Sequence, residues 1–120
     1  MTAVIVVAGF GACAAAGALA RWWLSTRRHR RWHDHLPLPT LVVNVTGAFA
    51  LGCLAGSGLG RPATTLLGTA GLGAYTTFST FVRDAHGLLT ASATRATALY
   101  VTLSVAGGVA AALIGLALTA

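Results

Sequence analysis

Charged side chains are scarce in this 120-residue chain, and two kinds are missing altogether. There is no lysine and no glutamate, and the only acidic residues are Asp34 and Asp84. Charged residues make up 8% of the chain, whereas a soluble domain has about 25%. Because so few charges cannot solvate a surface of this size, we predict an integral membrane protein and exclude a soluble enzyme. Chemistry that needs two close carboxylates would have to use the two aspartates, which lie in different segments.

Four apolar runs are long enough to cross a bilayer, which takes about 20 residues in a helix. They cover residues 2–20, 39–59, 63–82 and 96–118. The predicted fold class is therefore an all-α integral membrane protein with four transmembrane helices, forming one domain of residues 1–120. No basic segment precedes the first run, so we interpret it as a retained helix and not as a signal peptide.

The eight arginines are divided unequally between the connections. Seven lie in or beside the first and third connections, and only Arg61 lies in the second. The positive-inside rule then predicts that the first and third loops are cytoplasmic and that both termini are outside. This pattern also accounts for the net charge of +6, so no nucleic-acid partner is predicted.

Several small or polar residues have a structural interpretation. Cys13 and Cys53 lie inside apolar runs, where they are predicted to be packing residues. Gly52 and Gly56 have the GxxxG spacing of a helix–helix contact face. Three histidines of the arginine-rich first connection offer metal ligands, but the pattern favours solvated loop residues: His29, His33 and His35.

Polar groups inside the third run are unusual for a membrane span. Residues 71–81 contain two glycines followed by Thr-Thr-Phe-Ser-Thr-Phe, which is a poor sequence for a continuous helix. A break near Gly73 would free carbonyl oxygens, which can coordinate a monovalent cation. The hydroxyl groups of Ser79 and Thr80 could donate to an anion. Phe78 and Phe81 share a helical face, and their ring edges carry partial positive charge, although simple packing would explain them equally.

Two further polar side chains leave alternatives open. Asn44 in the second run must find a partner, either in an interhelical hydrogen bond or in a polar pathway. Arg21 closes the first run, where arginine commonly extends to the lipid headgroups. Its charge could equally draw anions into a vestibule.

Three segments give the chain a resemblance to a known family. Gly17–Arg21 is similar to a G-A-x-x-R motif, and Pro39–Phe49 is similar to P-x-T-x-x-x-N-x-x-G-x-F from the threonine of the motif, which is Thr40, onward. Gly71–Phe81 is similar to the specific signature G-x-x-G-x-x-T-T-F-S-T-F from the second glycine of the signature, which is Gly73, onward. The chain thus resembles the Fluc/CrcB fluoride channels, small bacterial fluoride exporters, over nearly its whole length.

The resemblance implies a pore and a cation site. The rings of Phe78 and Phe81 would line fluoride pores by their edges. The backbone carbonyls of Gly73 and Thr76 from two subunits would hold a structural Na⁺ ion. The other pore-side positions implied by the resemblance are Asn44, Ser79, Thr80, Tyr100 and Ser104. A second serine that many members carry one turn later corresponds to Gly108 here.

The resemblance further implies an antiparallel dimer and a passive fluoride channel in the bacterial inner membrane. Members that insert both ways as homodimers should have little arginine bias. The strong bias here favours a heterodimer with an oppositely oriented relative. Two other classes are a small multidrug-type coupled transporter, which the absence of glutamate disfavours, and a noncatalytic membrane scaffold, which would leave the Thr-Thr-Phe-Ser-Thr-Phe segment unexplained.

Overall fold

The structure, a computed structural model, describes residues 1–28 and 36–120, and within them every regular element is helical. The histidines considered as metal ligands, His29, His33 and His35, lie outside the described residues. In chain order the elements are α1 (Thr2–Arg28), α2 (Leu38–Gly56), α3 (Arg61–Thr64), the π-helix π1 (Thr65–Leu72), α4 (Gly73–Tyr75), α5 (Phe78–Thr90) and α6 (Thr94–Thr119).

Three helices among the described residues are long and apolar enough to cross a membrane: Thr2–Thr26, Leu38–Gly56 and Thr94–Thr119. The first continues well beyond residue 20, where the predicted span ends, because arginine and leucine are good helix formers and nothing in the next turn stops the helix. The third predicted span, residues 63–82, is not one helix. It consists of α3, π1 and α4, a break, and the first part of α5.

Proline and threonine mark the beginnings of the helices. Pro39 lies in the first turn of α2 and Pro62 in the first turn of α3, where a missing N–H group costs nothing. Thr77 caps α5, because its Oγ1 accepts a hydrogen bond from the Thr80 N–H group at 3.2 Å. Beyond the end of α5, Ser92 takes the left-handed conformation with φ 59°.

Helices α2 and α6 form the most extensive contact, and glycines make it possible. Gly52 lies against the backbone of Ala112, and Gly56 lies against Leu116 and Thr119. The GxxxG prediction is therefore confirmed, with α6 as the partner helix. The Thr119 hydroxyl also donates to the Cys53 carbonyl at 2.9 Å, which ties the ends of the two helices together.

Helix α1 packs on π1 and α4 in a similar way. Gly17 lies directly against the Gly71 carbonyl, so α1 approaches the broken helix at backbone distance. Both cysteine thiols are free, and the Cys53 sulfur lies beside Gly115, in keeping with a packing role. Most large apolar side chains point outward, as is expected where lipid covers the surface.

Candidate functional site

The broken helix is interrupted at Thr76 and Thr77, whose backbones are extended with ψ angles of 162° and 121°. The sequence predicted a break near Gly73, and the break falls three residues later. The difference has a physical cause, because the interruption is stabilised by a side chain on another helix.

That side chain is Asn44 of α2. Its Nδ2 donates to the Thr77 carbonyl at 2.9 Å, and its Oδ1 accepts from the Thr77 N–H group at 2.8 Å. The amide therefore pairs with Thr77 as a neighbouring strand would. In a continuous α-helix the Thr77 N–H group would instead bond to the Gly73 carbonyl. Asn44 thus makes an interhelical hydrogen bond, which is one of the two roles that the sequence left open for it. The Thr77 N–H group is then not available to the Gly73 carbonyl.

The Thr76 carbonyl loses its helical donor as well. The Thr80 N–H group, which would reach it in a continuous helix, bonds to the Thr77 hydroxyl. Arg21 of α1 takes its place, and its Nη1 donates to the Thr76 carbonyl at 3.0 Å. The two carbonyls predicted to hold a cation, at Gly73 and Thr76, are thus both released from regular helical bonding.

These neutral oxygen ligands suit a hard monovalent or alkaline-earth cation rather than a transition metal. Side chains offer no competing site, since the described part of the chain has no group of three or more His, Cys, Asp or Glu residues that could hold a metal ion. A Na⁺ ion bound by the carbonyls of Gly73 and Thr76 is therefore chemically consistent with the residues present.

A cavity of about 370 Å³ opens beside the break. It is lined by Asn44, Gly73, Thr76, Thr77 and Phe78 among others, so the residues of the break and the first aromatic residue of α5 meet at one cavity. Phe78 is 77% exposed, which leaves its ring available to an ion at the ring edge or to a second subunit.

Three aromatic rings lead away from this cavity. The ring centroids of Phe78 and Phe81 are 5.9 Å apart, and those of Phe81 and Tyr100 are 5.5 Å apart. Both pairs are tilted, at 40° and 37°, so neither is a flat stack. The shared helical face predicted for the two phenylalanines is what the structure shows.

Helix α6 carries two buried hydroxyl groups, one of them on Tyr100, the last ring of the row. Tyr100 is fully buried, and its hydroxyl makes no hydrogen bond to a described residue, although Thr40 lies nearby. Ser104, one turn further on, has a buried hydroxyl that is equally without a partner in the described range. Such groups normally find partners, and leaving one without costs about 1–3 kcal/mol.

Two residues near this row were missed by the sequence analysis. Thr40 is 7% exposed, and its hydroxyl donates to Asp84 Oδ2 at 2.7 Å. The other oxygen of Asp84 pairs with Arg83 at 3.2 Å. Spacing could have revealed both residues, since Thr40 lies four residues before Asn44 and Asp84 lies three after Phe81, each on the same helical face.

The remaining predicted positions lie in the first turn of α5. Ser79 is exposed, with its hydroxyl 3.4 Å from that of Thr77. The Thr77 hydroxyl donates to Thr80 Oγ1 at 3.1 Å. The structure thus groups Asn44, Phe78, Ser79 and Thr80 around the break, while the ring of Tyr100 lies beside that of Phe81 and Ser104 lies one turn further along α6.

A small all-helical membrane protein with one broken helix and a row of polar and aromatic side chains has the features of an ion channel. Residues 5–116 match the family model described as CrcB-like protein, Camphor Resistance (CrcB), and the chain belongs to this family.

Several curated relatives are similar over nearly the whole chain. A fluoride-specific ion channel, FluC 2, of Mycolicibacterium paratuberculosis is 42% identical over 115 residues, which cover 96% of this chain and 94% of that one. FluC 1 of Listeria monocytogenes serotype 4b is 38% identical over 113 residues, or 94% of each chain. FluC 2 of Rhodococcus jostii is 39% identical over 119 residues, or 99% of each chain.

Proposed function

We propose that this chain is a fluoride-selective channel, not an enzyme, through which cytoplasmic fluoride leaves the cell. Family membership and the names of the relatives, which are fluoride-specific ion channels, support the choice of ion. The observation that carries the proposal at residue level is the row from Phe78 through Phe81 to Tyr100, which ends in buried hydroxyl groups without partners in the described chain.

Fluoride suits such a row because it is a small, hard anion that binds hydrogen-bond donors strongly. Ring edges of Phe78 and Phe81 carry partial positive charge and offer weak contacts. The hydroxyl groups of Tyr100 and Ser104 can each donate one hydrogen bond. A fluoride ion that passes them would accept hydrogen bonds from donors that otherwise have no partner. These bonds would replace part of the hydration shell that the ion loses on entering the pore.

Export needs no energy source other than the existing gradients. Hydrofluoric acid is weak, so the neutral molecule crosses the lipid and dissociates in a neutral cytoplasm. The anion cannot return through lipid, and a membrane potential negative inside drives it out through a pore. In this proposal the chain lies in the bacterial plasma membrane with its first and third loops in the cytoplasm, as the arginine distribution predicts.

The proposal includes a dimer with a central Na⁺ ion held by the carbonyls of Gly73 and Thr76. The open cavity at the break and the 77% exposure of Phe78 support a second subunit at this face. The seven-to-one arginine bias supports a partner inserted in the opposite direction, which makes the partner a related chain. Arg21 lies beside the break, where one of its nitrogens donates to the Thr76 carbonyl.

Fluoride efflux from proteoliposomes, read with a fluoride electrode, tests the channel. Phe81→Ile removes a ring from the middle of the row and should reduce efflux to the background rate. Phe10→Ile is the matched control, because Phe10 lies on α1, outside the row, and is 39% exposed. Efflux at the wild-type rate from Phe81→Ile would refute the pathway.

The same assay decides the subunit arrangement. The chain is reconstituted alone and with its nearest relative from the same genome. Efflux that requires the relative supports the heterodimer, and efflux from the chain alone establishes a homodimer. Folded protein that is silent in both preparations contradicts the channel itself.

A further inference from the structure

The Thr76 carbonyl, proposed above as a Na⁺ ligand, already accepts a hydrogen bond from a positively charged side chain. Arg21 Nη1 donates to it at 3.0 Å, across 55 positions of sequence. Arg21 is half-buried, and its helix packs closely on the broken helix through Gly17 and Gly71. The contact is therefore built into the packing of α1 and is not a chance position of a surface side chain.

A guanidinium group and a metal cation seek the same feature of a carbonyl group. The oxygen has two lone pairs, so both could in principle be bound together. They would then be adjacent like charges in a partly buried site, where repulsion is much stronger than in water. Binding of one therefore weakens binding of the other.

We infer that Arg21 is a built-in competitor of Na⁺ for the Thr76 carbonyl, holding the broken helix open without the ion and lowering the affinity of the site for it. This inference rests on the proposed cation site. It gives the arginine of the first membrane helix a positioning role that is distinct from attracting anions to a vestibule.

The competition explains how the break persists before any ion binds. Without Arg21 the Thr76 carbonyl would be a half-buried acceptor with neither a helical nor a side-chain donor. With Arg21 present, the carbonyl is satisfied in the separate chain. Na⁺ then has to displace the guanidinium or share the oxygen with it, so the occupancy of the site depends on the Na⁺ concentration.

The test is the Na⁺ dependence of thermal unfolding in detergent, followed by tryptophan fluorescence, of the full-length protein assembled as the dimer that carries fluoride efflux in the assay above. NaCl replaces N-methylglucamine chloride at constant ionic strength. Arg21→Gln should unfold at a lower temperature without Na⁺, and its half-maximal stabilisation should need about tenfold less Na⁺ than the wild type. Arg21→Lys keeps the charge and should retain the wild-type midpoint within about threefold.

Arg95→Gln is the matched control, because it removes the same charge from an exposed position in the first turn of α6. Its Na⁺ midpoint should equal that of the wild type. A response of Arg21→Gln at lower Na⁺, with or without a measurable wild-type response, supports the competition. If the Na⁺ midpoint of Arg21→Gln is equal to or higher than that of the wild type, the competition is overturned, but the cation site is not contradicted. No Na⁺ response in either protein overturns both.

Should Arg21→Gln fail to fold, the Lys variant still decides. A Na⁺ midpoint for Arg21→Lys that is lower than that of the wild type by up to about threefold supports the competition, because the weaker hydrogen bond leaves the Thr76 carbonyl easier for Na⁺ to bind. A midpoint at least tenfold higher than that of the wild type overturns the competition, because a retained charge in a weaker hydrogen bond should never make Na⁺ binding harder.

Discussion

Replacing Asn44 by alanine removes the two hydrogen bonds that this side chain makes to Thr77 at the break. The bonds are 2.9 Å and 2.8 Å long, and they satisfy the carbonyl and the N–H group of Thr77. Each backbone group left unsatisfied costs about 1–3 kcal/mol when buried. Because Thr77 is only partly buried, we expect a total loss of about 3 kcal/mol in the free energy of unfolding.

Asn44→Asp keeps one of the two hydrogen bonds and removes the other. The carboxylate still accepts from the Thr77 N–H group, but its second oxygen faces the Thr77 carbonyl, where a donor is needed. We therefore expect Asn44→Asp to be at least as destabilising as Asn44→Ala at neutral pH, and to reduce fluoride efflux because Phe78 follows Thr77 directly.

The measurement is equilibrium unfolding in mixed micelles of a mild detergent and sodium dodecyl sulfate. Thr46→Val serves as the control on the same helix, because it removes a hydroxyl that contacts Tyr75 at 2.9 Å from an exposed position. It should cost less than about 1 kcal/mol. If Asn44→Ala is within about 0.5 kcal/mol of the wild type, the amide does not stabilise the break and the argument is wrong.

Three further substitutions follow from the same structure. Tyr100→Phe removes a buried hydroxyl without a described partner, so the free energy of unfolding should rise by up to about 1 kcal/mol. Fluoride efflux should fall, and faster or equal efflux would contradict a donor role of this hydroxyl. Ser92→Gly relieves a left-handed backbone with φ 59° and should stabilise the protein by about 1 kcal/mol in the same micelle titration. Gly108→Ser adds a hydroxyl one turn beyond Ser104, where a Cβ would meet only the Ala48 Cβ at 4.0 Å; it should fold normally and conduct at least as well.

The sequence was sufficient for the apolar helices, because hydropathy over about 20 residues is a local property. It was also sufficient for the shared face of Phe78 and Phe81, since helical periodicity is local as well. The sequence did not predict the exact position of the break, because a side chain of α2 decides it. Glycine and threonine weaken the helix over a whole stretch, and only Asn44, from a distance of 33 positions, selects Thr77.

The contact between Thr40 and Asp84 was missed for a similar reason. Neither residue is unusual in its own segment, since a threonine near the start of a membrane helix and an aspartate near a loop are both common. The contact exists because α2 and α5 bring them together across 44 positions. Arg21 likewise looked like an interfacial residue until the packing of α1 turned it towards Thr76.

The π-helical winding of residues Thr65–Leu72 places more residues in each turn than an α-helix would. Its hydrogen bonds span five residues where α-helical bonds span four, so each turn stores about one extra residue. Deleting one residue there can be absorbed by rewinding to an α-helix, without rotating Gly73 or the break that follows. A one-residue deletion within the broken helix should therefore be tolerated in Thr65–Leu72 and not between Gly73 and Phe81.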